Sequence, residues 1–260
     1  MPNPTHASTD FLKVKLGKKS PRHDPRTLRL AKYVRALPPP PASVDWTKLV
    51  TFPCGMMNND RYGCCTCSGM GHAVQTITAN ANPPEVTISD HDILLAYEAA
   101  CGFNPADPST DQGGIELNVL NYWRTNGIAG TGHRIAAYAA VNPLNKVEVM
   151  QALYLFGFLY TGVALPVSAQ AQVGGVWDID PTPAGSPGSW GGHCVIIVAA
   201  DEDGLTCITW GQKQRMTWDF WNRYFDEAYA CLTPEWIEAN GESPSGFDLA
   251  TLQSDLAQIT

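Results

Sequence analysis

Three thiols, Cys64, Cys65 and Cys67, fall within four positions of the stretch Asn58 to His72, NNDRYGCCTCSGMGH. That residue type at that spacing admits three chemistries. As metal ligands, Cys64-x-x-Cys67 is half of a zinc site; a closed site takes four ligands, usually two such pairs. No second C-x-x-C exists, and His72 would have to help from the same helix, so no metal and no cofactor is expected. As a redox couple, C-x-x-C at a helix start can cycle through a disulfide, yet the following sequence lacks the βαβ pattern of such proteins.

The third chemistry is nucleophilic. A cysteine at a helix N-terminus gains thiolate stabilisation from unpaired N–H groups and the helix dipole. It needs an imidazole close by and a donor for the oxyanion of a tetrahedral intermediate. Gly63 lets the backbone turn before the helix, and Asn59, six residues before Cys65, can send its amide into the same space as the Cys65 N–H. Of six histidines, His193 stands out, because it follows Gly191-Gly192 and opens a β-branched run suited to a strand edge. As ordinary residues, Asn59 would make local turn bonds, His193 would be a strand histidine and His72 a core one.

The elements that must position these groups are legible. A helical pattern runs from Cys65 to about Asn80, poor in propensity because of its glycines, and its small residues Ser68, Gly69, Gly71 and Ala73 suit close packing. TISDHDILLAYEAACG reads as a second helix capped by Ser89, with Asp92 approximating a capping box. GGIELNVLNYWRTNG reads as a third, stopped at Gly127. After about Ala129 the texture turns to strands: a loose alternation at HRIAAYAAV, a short helix at KVEVMQALYLFG, a buried strand at FLYTGVALP. GGHCVIIVAADEDGLTCITWG is the clearest hairpin, with Gly204 able to supply a positive φ. Helices first and strands second make an α+β layout of two subdomains with a cleft between them.

In that order the chain resembles the papain-like cysteine peptidase superfamily over roughly Ser43 to Leu232. SVDW resembles the start of the mature domain. NDRYGCC resembles the Gln-x-x-x-Gly-x-Cys element, with Asn59 at the oxyanion amide, Gly63 at the glycine and Cys65 at the nucleophile. ISDHDILLAYEAAC resembles the helix that usually reads leucine-Ser-Glu-Gln, and DQGGIELNVLNYWRTNGI the glycine pair and helix lining the non-primed subsites, here Gly113 and Gly114. GGHCVIIVAADEDG resembles the strand that starts with the catalytic histidine, His193, and ITWG the Asn-Ser-Trp-Gly strand end, with Trp210 and Gly211 matching. The chain is also similar to compact bacterial and bacteriophage proteins carrying Gly-Asp-Cys-Thr, with Cys64 at the aspartate. Under this alignment Cys67 as nucleophile would place Arg61 at the amide, and Cys64 would place Tyr62 at the glycine; Cys65 alone keeps Asn59 and Gly63 together. The resemblance implies a papain-like fold, a helical N-terminal subdomain and an antiparallel β-barrel-like C-terminal one, acting on a peptide or amide substrate in the cleft.

The match has gaps. Thr66 stands where the family has tryptophan after the nucleophile. The asparagine that orients the imidazole is absent: alignment on Trp210 puts Ile208 there, whereas counting from the histidine puts Thr209 there, whose hydroxyl can serve His193. The forty residues before SVDW show no helical prodomain pattern, which argues against a zymogen with a conventional prodomain. The alternative function is therefore a papain-fold binding or structural module, such as a virion or assembly component.

The rest of the chain sets bounds. Its 260 residues are 44% hydrophobic and 16% charged, which fits a globular protein. No apolar run is long enough to span a bilayer, and no secretory h-region is evident, so a cytoplasmic protein with reduced thiols is expected, or a virion-associated one if phage-encoded. Residues 1–40 carry nine lysines and arginines against two aspartates; with a total of −8, a +7 arm precedes a body of −15. That arm, residues 1–42 with the proline-rich ALPPPPASVDW at its end, is expected to dock on an acidic partner or on its own domain. It lacks the interleaved aromatics of a nucleic-acid reader. The papain-like domain spans 43–232, mainly helical over about 43–130 and mainly strand over about 131–232. Residues 233–260 form a tail in which Leu249, Leu252, Leu256 and Ile259 suggest a short amphipathic helix.

Overall fold

The structure, a computed structural model, describes residues 14–33, 39–81, 84–240, 250–251 and 254–255, without the side chains of 238–240. The order of elements is β1 (Val44–Asp45), α1 (Cys65–Asn80), α2 (Asp90–Cys101), α3 (Glu116–Asn126), β2 (Ala137–Ala140), α4 (Lys146–Phe156), β3 (Leu159–Leu165), β4 (Val176–Trp177), β5 (Gly191–Ala200), β6 (Gly204–Thr209), β7 (Gln212–Thr217), α5 (Trp218–Tyr224), β8 (Phe225–Leu232) and α6 (Pro234–Asn240). The fold is α+β. The first three helices come before seven strands of one eight-stranded sheet of order β2-β8-β3-β5-β6-β7-β4, with the earlier β1 pairing β5 off that path; every pair is antiparallel except β4 with β7.

Helix α1 is buried from Cys65 through Thr78. Its weak propensity is offset by burial on two sides, and its glycines make that approach possible. A Cβ on Gly69 would crowd the Tyr160 ring at 3.2 Å and Cys194 Sγ at 3.3 Å, and one on Gly71 would meet Met57 Sδ at 2.5 Å. Ser89 caps α2 by accepting from the Asp92 N–H, while the Asp92 carboxylate accepts from the Ser89 hydroxyl rather than closing a box on the backbone. Gly127 ends α3 at φ 75°. In the β5–β6 turn the expected positive φ at Gly204 is not found, since the glycines with positive φ do not include it. Asp201 closes the turn by accepting from the N–H groups of Asp203 and Gly204. Glycine is needed there for a different reason: a Cβ would lie 2.0 Å from the Met216 carbonyl oxygen of β7.

The core is continuous from helices to sheet and includes Trp123, Trp177 and Trp221, all fully buried. Val14, Leu30 and Tyr33 of the basic arm belong to it. The Ala140 N–H donates to the Leu28 carbonyl, so the arm runs beside β2. Leu249, Leu252, Leu256 and Ile259 lie outside the described residues; from the tail, Asp255 accepts from the Tyr33 hydroxyl and the Lys32 ammonium, both at 2.6 Å. No helix among the described residues is long and apolar enough to cross a membrane.

Candidate active site

The three clustered thiols point three ways. Cys64, the N-cap of α1, turns its sulfur to the Met57 carbonyl and the Ser68 hydroxyl, each at 3.5 Å. Cys67 packs against Cys101 at the end of α2. Cys65, first residue of the helix, places its sulfur by the backbone N–H groups of Cys194 and Gly17. All eight cysteines are free thiols. Among the described residues no three His, Cys, Asp or Glu side chains are placed to hold a metal ion.

Strand β5 carries His193 immediately before Cys194, so the Cys65 sulfur lies against the N–H that follows the histidine. The ring of His193 is fully buried. Its Nε2 is 2.7 Å from Thr209 Oγ1, and Nδ1 has no hydrogen-bond partner. Thr209 rather than Ile208 reaches the ring because it is the last residue of β6; Ile208 pairs with Ile196 within the sheet. Trp210 then turns out of the strand at φ 47° and stacks on the imidazole, centroids 4.5 Å apart and planes 13° from parallel. Trp190 packs on Trp210 at 5.5 Å, and Trp177 braces it edge-on at 6.2 Å. Asn59 is buried on the approach to α1, and its side-chain oxygen has no hydrogen-bond partner.

One aspartate that the sequence did not single out ties the loops together. Asp111 Oδ1 accepts from the Gly63 N–H at 3.0 Å and from the Tyr97 hydroxyl at 2.7 Å. Tyr97 Oη in turn accepts from the Gly113 N–H at 2.8 Å. The turn before Cys65 and the Gly113-Gly114 pair are thus fixed to each other.

The arm crosses between that pair and β5. The Gly114 N–H donates to the Gly17 carbonyl at 2.8 Å, and the Lys19 N–H donates to the Gly114 carbonyl at 2.9 Å. On the other side the Lys18 N–H donates to the Gly192 carbonyl at 3.0 Å. Lys18 pairs with Gly114 in the parallel sense, and Lys15 Nζ donates to the Asp111 carboxylate at 2.8 Å. The crossing leaves no room for side chains: a Cβ on Gly17 would fall 1.8 Å from the Gly63 carbonyl oxygen, and one on Gly113 would fall 1.9 Å from that of Gly17.

Beneath the arm the titrating groups are held neutral. Burial pushes the Cys65 thiol up to about 11, although the N–H groups of Cys194 and Gly17 pull the other way. Burial, helped by the charge of His72, pushes His193 down to about 3. His72 is itself pushed down to about 4 by burial on α1, with Nε2 2.9 Å from the Gly55 carbonyl. An unfolded histidine titrates near ~6.5. Between that value and the folded ones only the unfolded chain binds these protons, so stability falls as pH drops below about 6.5 and continues falling to about 3. The midpoint of thermal unfolding is expected to drop between pH 7 and 4.5, and less so in His72→Gln. A midpoint constant over that range would contradict neutral burial of the two rings.

No protein-family model and no curated protein matches the sequence. Solved structures do match, and with the architecture above they show a papain-like fold. Similar ones include xylellain, a cysteine protease from Xylella fastidiosa, at 15% identity and TM-score 0.63, covering 85% of this chain and 97% of that one. A procathepsin B from Trypanosoma congolense matches at 11% identity and TM-score 0.59, covering 87% and 89%. The digestive procathepsin L 3 of Tenebrio molitor larval midgut matches at 12% identity and TM-score 0.54, covering 86% and 77%.

Proposed function

We propose that the chain is a papain-like cysteine hydrolase, a peptidase or amidase, whose cleft is covered by its own basic arm. The observation that carries this reading is the placement of the Cys65 sulfur at a helix N-terminus beside the N–H following His193, with His193 Nε2 engaged by Thr209 and Nδ1 unpartnered. With Nε2–H donating to Thr209, Nδ1 is the basic nitrogen. It takes the Cys65 proton as sulfur attacks a carbonyl carbon, and returns it to the leaving amine as the C–N bond breaks. The Cys65 N–H has no intrahelical acceptor by its position, and with the Asn59 amide it receives the oxyanion. Water or an amine then resolves the thioester. Thr209 serves where the family has asparagine, and Trp210 holds the ring plane.

Alkylation of Cys65 by iodoacetamide in the full chain at neutral pH, located by mass spectrometry, tests the reading. With the arm in place the reaction is slow; a variant that displaces the arm is modified at Cys65 ahead of the other thiols, and adding His193→Ala removes that advantage. Equal rates with and without His193 would leave the fold as a non-catalytic binding module.

A further inference from the structure

Among the described residues Lys18 is the one lysine or arginine that is buried, and it comes from the arm rather than from the elements around it. Its side chain is 1% exposed, with Nζ 2.9 Å from Asp226 Oδ1 and 3.1 Å from Glu227 Oε1, both on β8. Glu116, at the start of α3, is fully buried and faces the same charge; neither of its carboxylate oxygens has a hydrogen-bond partner, and the Cys194 thiol lies beside them. Tyr229 holds the far oxygen of Glu227 at 2.9 Å. The aliphatic stem passes where β3 has Gly162: a Cβ there would lie 1.9 Å from Lys18 Cε. Burial alone would lower the Lys18 ammonium, but Glu116, Glu227 and Asp226 outweigh it and raise it.

Three carboxyl groups therefore face one ammonium. Glu116 comes from α3, Asp226 and Glu227 come from β8, Gly162 of β3 makes room for the stem, and the ammonium comes from a stretch of the arm held by backbone hydrogen bonds to Gly114 and Gly192. When that stretch leaves, Glu116 and Glu227 lose their counter-ion, a condition that favours capture of another cation. Gly17, the neighbour of Lys18, is the residue whose N–H lies by the Cys65 sulfur.

From this arrangement we infer that Glu116, Asp226 and Glu227 form a specificity pocket for a lysine or arginine side chain, one residue away from the residue presented to Cys65, and that Lys18 occupies it in the covered state. The substrate class is thus a peptide with a basic residue at that position. The inference rests on the hydrolase reading of the same cleft, though binding in the pocket is separable from catalysis.

The test uses full chain carrying Gly17→Ala with Lys18→Ala, which lifts the arm and vacates the pocket, and four substrates of the form acetyl-X-glycyl-coumarinamide with X lysine, arginine, leucine or glutamate. The lysine and arginine substrates are expected to exceed leucine by at least about tenfold in kcat/KM, with glutamate lowest. Adding Glu227→Gln should lower the preference for the basic substrates over leucine about tenfold. Should that variant not fold, Gly17→Ala alone, which lifts Lys18 out with the arm, replaces it. Leucine equal to or better than lysine, or a ranking indifferent to Glu227→Gln, overturns the pocket. If no substrate is cleaved, the hydrolase reading fails, and calorimetry with the lysine and leucine glycinamides decides the pocket alone: binding of the lysine compound only retains it, and binding of neither or both overturns it.

Discussion

Replacing Gly17 with alanine is expected to raise the alkylation rate of Cys65 in the full chain by on the order of a hundredfold at pH 7.5. The substitution adds one methyl group, and its φ is not among the positive ones that penalise a side chain. What alanine cannot do is occupy the crossing, because its Cβ would sit 1.8 Å from the Gly63 carbonyl oxygen, and backbone on both sides leaves nothing flexible to yield. The arm must lift. A thiol titrating near 11 is ionised at pH 7.5 to about one part in three thousand, whereas an ordinary cysteine near ~8.5 is ionised to about one in ten. Exposure alone therefore supplies the factor, before any help from His193. The pH profile separates the two states. In the unaltered chain the rate climbs about tenfold per pH unit and levels only near 11; in Gly17→Ala it levels at lower pH, and further addition of His193→Ala moves that plateau upward. The arm's grip is wrong as described if Gly17→Ala folds normally and is alkylated at the parent rate.

The span of α1, the cap of α2, the stop of α3 and the β5–β6 hairpin were all legible, because each depends on residues within a few positions of one another. The small residues of α1 announced close packing, and Gly69 against Tyr160 and Cys194 supplies its object. The commoner rule for glycine in a turn gives Gly204 a positive φ, whereas its role is steric relief against β7, a partner that local sequence cannot name. Thr209 and Ile208 could not be separated by counting, since two alignments differed by one residue. The pleat of β6 separates them by sending one toward His193 and setting the other within the sheet. The arm's course was illegible for a stronger reason. VKLGKKS has no apolar period, and its contacts are with Gly114, Gly192, Asp226 and Glu227, Asp226 alone being 208 residues away. A net charge of +7 implied attraction to acids without saying which of the arm's nine cations would be buried. Lys18 is distinguished only by where the backbone places it.

Asp111→Ala is expected to cost about 3 to 5 kcal/mol of folding stability in urea titration. The carboxylate is 6% exposed and accepts from both the Gly63 N–H and the Tyr97 hydroxyl, so its removal strands two buried donors. Its third partner counts for little: Lys15 is half exposed, and solvent screens that pair. Asp111→Asn makes the division measurable. The amide keeps an oxygen for Gly63 and Tyr97 while giving up the charge that Lys15 answers, so its cost should be about 1 kcal/mol. Tyr97→Phe breaks the chain of bonds one step later, freeing the Gly113 N–H and leaving Gly63 held. Because Asp111 joins the turn before Cys65 to the glycine pair under the arm, alanine there should also loosen both walls of the crossing, and Cys65 should become more reactive in the folded fraction. Asparagine as costly as alanine would mean that charge, not acceptor geometry, holds the loops together.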